Sequence, residues 1–257
     1  MLARAPGISL FGSLLAGLIG LAWLALVVWG SSPYGRYLDH KNLDAIRIEG
    51  DGTVLVFVLG WVLMTVAMML PTSLPLVTLF RGMVHRRAER AQLLSLLLLG
   101  YLGVWAVFGL VVHAGDAALH SLVASQPWLA EHAALIGTAI LLLAGVYQFT
   151  PLKYHCLERC RSPLAFIAAR WRGRQPAGEA FQLGVTHGLF CVGCCWSLML
   201  LMFAVGVGSL GWMFALATVM AVEKNLSWGR RLSGPLGLLL IASAGFEWAG
   251  VVRVLPA

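Results

Sequence analysis

The segment HGLFCVGCCW sets His187, Cys191, Cys194 and Cys195 in a stretch that carries no full charge from Phe181 to Val222. On a helix these four side chains span roughly a third of the circumference, a single stripe. A lone buried cysteine is ordinary packing. Three within five residues, one turn after a histidine, form the donor set of a soft metal, with packing or local polarity as the competing reading. Met199 and Met202 continue roughly the same stripe.

Other residues of the same chemistry lie elsewhere. Cys156 and Cys160 stand at i, i+4 in TPLKYHCLERCRSP. Pro151 suits a first helical turn and Thr150 an N-cap, so the spacing predicts a short interfacial helix with the two thiols one above the other. Lys153, Arg159 and Arg161 favour thiolates there, whereas His155 points away as a solvated residue. Met68 and Met69 precede two prolines in MMLPTSLP. Pro71 cannot donate to the Ala67 carbonyl, nor Pro75 to that of Pro71, so two acceptors need other partners, with a packing kink as the plainer reading. The candidate metal ligands are therefore His187, Cys191, Cys194, Cys195, Cys156, Cys160, Met68 and Met69. Glu223, Met202 and Glu247 are accessory candidates. His113 and Asp116, at the end of a predicted span, read as an entry site or as simple loop flanks. No catalytic constellation appears: there is no P-loop, dinucleotide fingerprint or Ser-His-Asp order in a suitable context.

These side chains need elements to position them. The chain has 257 residues, is 60% hydrophobic and only 11% charged, with a mean hydropathy of +0.84. That composition predicts an all-α, polytopic membrane bundle. Apolar runs of about the length needed to cross the hydrocarbon fall at 8–29, 53–80, 93–113, 133–150, 182–206, 209–222 and 235–252. The boundary between the fifth and sixth rests on the glycines of GVGSLG. The expectation is about seven spans in one integral domain. The first is read as a retained anchor, because its apolar run is longer than a signal peptide's.

The net charge of +7 is positional and does not point to nucleic acid. Basic residues crowd the segments after the second, fourth and sixth runs: Arg81, Arg86, Arg87 and Arg90; Lys153 through Arg174; and Lys224, Arg230 and Arg231. The intervening segments are neutral or acidic. By the positive-inside rule this predicts a cytoplasmic N-terminus in a bacterial inner membrane, with lipid head groups as partners of the basic loops. The loop Gly30–Gly52 would be external. The loop 151–181 would be cytoplasmic and would end in a mobile linker, WRGRQPAGEA. All five cysteines, Met68, Met69, His187 and Glu223 then share the cytoplasmic side. Thiols there stay reduced, and an odd number argues against a disulfide framework. Such donors suit copper(I), or zinc(II) at four ligands.

Three ordered motifs, MTVAMMLPTSLPLV, YQFTPLKYHCLERCRSP and FQLGVTHGLFCVGCCWSLML, resemble a bacterial family of predicted metal-binding integral membrane proteins, a domain of unknown function. The matching positions are Met68, Met69 and Pro71; Cys156 and Cys160; and His187, Gly188, Cys191, Gly193, Cys194 and Cys195. The resemblance implies metal binding in a membrane and supplies no substrate. The reading that follows is a soft-metal protein transporting copper or zinc, or passing it to a membrane or periplasmic metalloprotein partner. Two alternatives stand beside it: a membrane thiol or metal redox enzyme built on the CVGC pair, and an accessory subunit with a structural metal.

Overall fold

The apolar runs fold as helices, and prolines and glycines decide where those helices bend or end. The structure, a computed structural model, describes residues 10–31, 52–132, 134–205 and 209–249. Their regular elements are all helical: α1 (Leu10–Ser31), α2 (Gly52–Met68), α3 (Leu70–Val84), α4 (Arg90–Ser125), α5 (Pro127–Glu131), α6 (Ala134–Tyr147), α7 (Pro151–Arg161), α8 (Pro163–Arg170), α9 (Pro176–Val205), α10 (Leu210–Asn225), a 3-10 turn (Gly229–Leu232) and α11 (Ser233–Trp248). Most of the predicted external loop, Gly206–Gly208 of GVGSLG and the end of the last predicted span lie outside the described residues.

Three of these helices are long and apolar enough to cross a membrane: α1, α4 and α9. The number rises to five if the bent pairs α2–α3 and α6–α7 each count as one span. Among the described residues, two of the seven predicted spans fall short of a crossing by length. Helices α10 and α11 have 16 residues each and rise only about 24 Å, short of the ~30 Å hydrocarbon core. Helix α4, by contrast, runs for 36 residues. His113 and Asp116 therefore lie within a helix and do not terminate one.

The proline pair in MMLPTSLP breaks the second apolar run. α2 and α3 meet at Met69 with a 69° bend, and Pro71 opens α3 in its first turn. The Ala67 carbonyl that Pro71 leaves without a donor accepts from Trp23 Nε1 of α1 at 3.1 Å. The Met69 carbonyl accepts from the Thr72 hydroxyl at 2.8 Å and from the Tyr101 hydroxyl of α4 at 3.3 Å. A break in apolar surroundings is thus held by side-chain donors from two other helices.

Small residues bring α4 and α9 together. A Cβ on Gly184 would run into the Leu97 carbonyl, and one on Gly100 into that of Phe181. Gly188 would meet Val104 Cβ at 2.9 Å. Close backbone approach of this kind is what glycine permits between packed helices. At one end of the bundle the three basic segments touch one another. Arg87 donates to Gly173 O at 3.5 Å, Arg161 donates to Ser227 O at 2.9 Å, and Arg230 pairs with Glu158.

The expected linker before α9 is an organised turn. The Glu179 carboxylate accepts the backbone N–H groups of Arg172, Gly173, Arg174 and Gln175 at 2.6–3.2 Å. Gly173 takes φ +70° with the Arg87 guanidinium packed where a side chain would begin. A carboxylate at a helix start gathers orphan donors and complements the helix dipole.

Candidate metal centre

Helix α9 delivers His187, Cys191, Cys194 and Cys195 to the interior, where all four are buried. All five cysteines of the chain are free thiols. Cys194 and Cys195 each donate back along the helix to the Cys191 carbonyl, at 3.1 and 2.9 Å. The Cys191 sulfur faces sideways instead, 3.3 Å from the Tyr101 hydroxyl of α4.

The second cysteine pair reaches the same place from another direction. Thr150 caps α7 by accepting from Lys153 N, as the sequence predicts, and α7 folds back at 64° to α6. Cys160 lies close to both Cys191 and Cys194. Cys156 lies against Gly193, its sulfur 2.6 Å from where a Cβ would stand, so a larger residue there would push the thiol aside. His155 is exposed, as expected. The short helix therefore closes over α9 with both thiols inward or at its edge.

Met69, at the α2–α3 break, brings a thioether to within 3.9 Å of Cys195 Sγ. Two sulfurs sharing one ion through bonds of about 2.3 Å can stand at most ~4.6 Å apart. That pair is already within range. Met68 is buried in the same core.

At the centre is a residue that sequence reasoning assigned to a solvated loop. Lys224, near the end of α10, is buried. Its Nζ lies 2.9 Å from Cys191 Sγ, 3.2 Å from Thr72 Oγ1, 3.9 Å from Met69 Sδ and 4.0 Å from Cys195 Sγ. A signal for this existed: Met213, Leu216 and Met220 are buried along α10, and Lys224 continues their spacing at i+11 from Met213. The Glu223–Lys224 pair instead reads as a loop start when charge alone is weighed. Thr72 and Tyr101 are equally unannounced, since a threonine and a tyrosine in apolar runs carry no motif.

Other candidates sit apart from this point. His187 turns Nε2 to Ser73 Oγ at 3.1 Å and stacks beside Tyr101; its Nδ1 is buried with no hydrogen-bond partner. Glu223 is engaged elsewhere: its carboxylate accepts from Lys153 Nζ at 2.9 and 3.0 Å and from Ser233 Oγ at 2.6 Å. Met202 is buried seven residues beyond Cys195 on α9, about 10 Å along the axis. Glu247 lies fourteen residues along α11 from Ser233, about 20 Å away, so it does not join the cluster. At that other end, His113 stacks on Phe57 and Asp116 pairs with His120.

Among the described residues, no three His, Cys, Asp or Glu side chains are arranged to hold a metal ion. What the fold does assemble is a trio of sulfurs, from Cys191, Cys195 and Met69, around a lysine ammonium. Sulfur donors of this kind suit a soft metal such as copper. The buried, unpartnered Nδ1 of His187 and the Cys160 thiol are further donors close by.

Residues 58–246 match the family described as PpoB2, copper chaperone. The matched stretch contains every side chain of the cluster. No curated protein and no solved structure matches the chain.

Proposed function

Since the chain belongs to the PpoB2 copper chaperone family, we propose that it carries copper(I) as cargo on Cys191, Cys195 and Met69 inside a bacterial inner membrane. From there it would deliver the ion to a metalloprotein partner. The observation that supports this most directly is the convergence of two thiols and a thioether, from two separate helical segments, on one buried point.

The surroundings agree with a soft ion. Of the eight described methionines only Met83 is exposed; Met64, Met68, Met69, Met199, Met202, Met213 and Met220 are all buried. Polarizable thioethers from α2, α9 and α10 therefore share one core with the thiols. The apolar lengths of α1, α4 and α9, together with the meeting of the basic segments at the thiol end, support membrane embedding with that end facing the cytoplasm.

The test is copper(I) stoichiometry on the protein purified under reducing conditions. The wild-type chain should retain copper, and Cys191→Ser and Cys195→Ser should each lose it while remaining folded. A wild-type protein that takes up no copper after reloading overturns the reading.

A further inference from the structure

The ammonium of Lys224 stands where the cargo would sit. It contacts three sulfurs and a hydroxyl, whereas Lys153, also buried, contacts a carboxylate. Thr72 Oγ1 donates to the Met69 carbonyl and accepts from Lys224, so the α2–α3 break holds the ammonium at the mouth of the sulfur site. A copper ion bonded to these sulfurs and the ammonium cannot both occupy that space.

We propose that Lys224 is a built-in exchange cation: copper(I) enters by displacing its ammonium from Cys191 and Cys195, and the ammonium returns as copper leaves. One monovalent cation replaces another at the Cys191 thiolate, while Cys195 releases to solvent the proton it donates to the Cys191 carbonyl as copper binds and regains it as copper leaves. No bond to Lys224 is made or broken and no electron moves. The physical need is clear from burial. A metal leaving a buried thiolate would strand an unpaired charge, which is strongly unfavourable. A cation tethered on α10 removes that penalty and lets a partner or chelator take the metal. This inference rests on the copper-cargo reading and adds the means of release.

Two measurements test it. First, the rate at which copper(I) passes from the loaded protein to excess chelator should fall by about tenfold or more in Lys224→Gln, since release then exposes an unpaired thiolate. Release at the wild-type rate, or faster, overturns the proposal. Second, amine labelling of the wild-type protein, read by mass spectrometry, covers the case in which that variant fails to fold. The chain has only three lysines, Lys41, Lys153 and Lys224. Labelling of Lys224 should rise on copper loading and fall on release, while Lys153, fully buried in its ion pair, stays protected throughout. Equal protection of Lys224 with and without copper overturns the proposal. A wild-type protein that binds no copper fails the copper reading itself; one that binds copper without either Lys224 effect fails only this inference.

Discussion

Among the described residues two lysines are buried, and they have opposite kinds of partner. Lys153, on α7, is held by both oxygens of Glu223 and by Gln148, and Glu223 also accepts from Ser233. Lys224, the next residue after Glu223, faces sulfurs and one hydroxyl. A carboxylate pair with its remaining lone pairs satisfied is a permanent fixture. It ties the helix bearing Cys156 and Cys160 to the helix bearing Lys224, and Arg161 adds bonds to the carbonyls of Glu223 and Ser227. The sulfur-bound lysine contacts soft sulfurs and one hydroxyl, partners that a soft metal ion can take over. Adjacent positions on one helix thus serve anchoring and exchange.

Four substitutions break or sharpen this contrast, in decreasing order of effect on stability. Glu223→Gln leaves Lys153 buried without its counter-charge and should cost about 3–5 kcal/mol. The loss would appear as a lowered unfolding midpoint in detergent micelles; an unchanged midpoint would mean that the pair anchors nothing. Gly184→Ala, which drives a methyl group into the Leu97 carbonyl, should cost about 1–3 kcal/mol by loosening α9 from α4. Copper(I) stoichiometry in that variant should fall only to the extent that unfolding does. Thr72→Val removes one hydrogen bond to the Lys224 ammonium and one to Met69 O, an expected cost of about 1–2 kcal/mol. It should also raise amine labelling of Lys224 in the copper-free protein, a change that Glu223→Gln would produce at Lys153 instead. Arg230→Gln breaks an ion pair whose side chains are 54% and 55% exposed, and it should shift stability by at most about 1 kcal/mol. A large effect there would show that the contact between basic segments, and not the buried pair, holds α7 against α10.

Much of the candidate site is legible in the sequence. The thiol stripe of α9, the capped α7 with its i, i+4 cysteines and the proline break after Met69 all follow from local rules of spacing, capping and donor loss. The elements bearing those residues formed as expected. The span count was less legible. Hydropathy marks apolar stretches, yet it does not register that Pro71 and Pro151 turn the chain by more than 60°, or that α4 continues past His113 to Ser125. The two lysines were misplaced for a related reason. Charge counting along the chain treats every lysine in a basic segment as solvated. Burial of Lys153 and Lys224 depends on partners, Glu223, Cys191 and Thr72, that lie 70, 33 and 152 residues away.

By itself the sequence determined the donor chemistry: which sulfur, imidazole and carboxylate groups exist, which share a helical stripe, and where backbone hydrogen bonds must fail. These are local properties of residue type and spacing. Tertiary structure alone decided which donors meet. It turned Glu223 to Lys153, left Glu247 about 20 Å along α11, and set Met69, Cys191 and Cys195 around Lys224. Such convergence depends on helix bends and on glycine-permitted close packing between distant segments, and the energy of a buried cation is set by whatever those segments bring beside it.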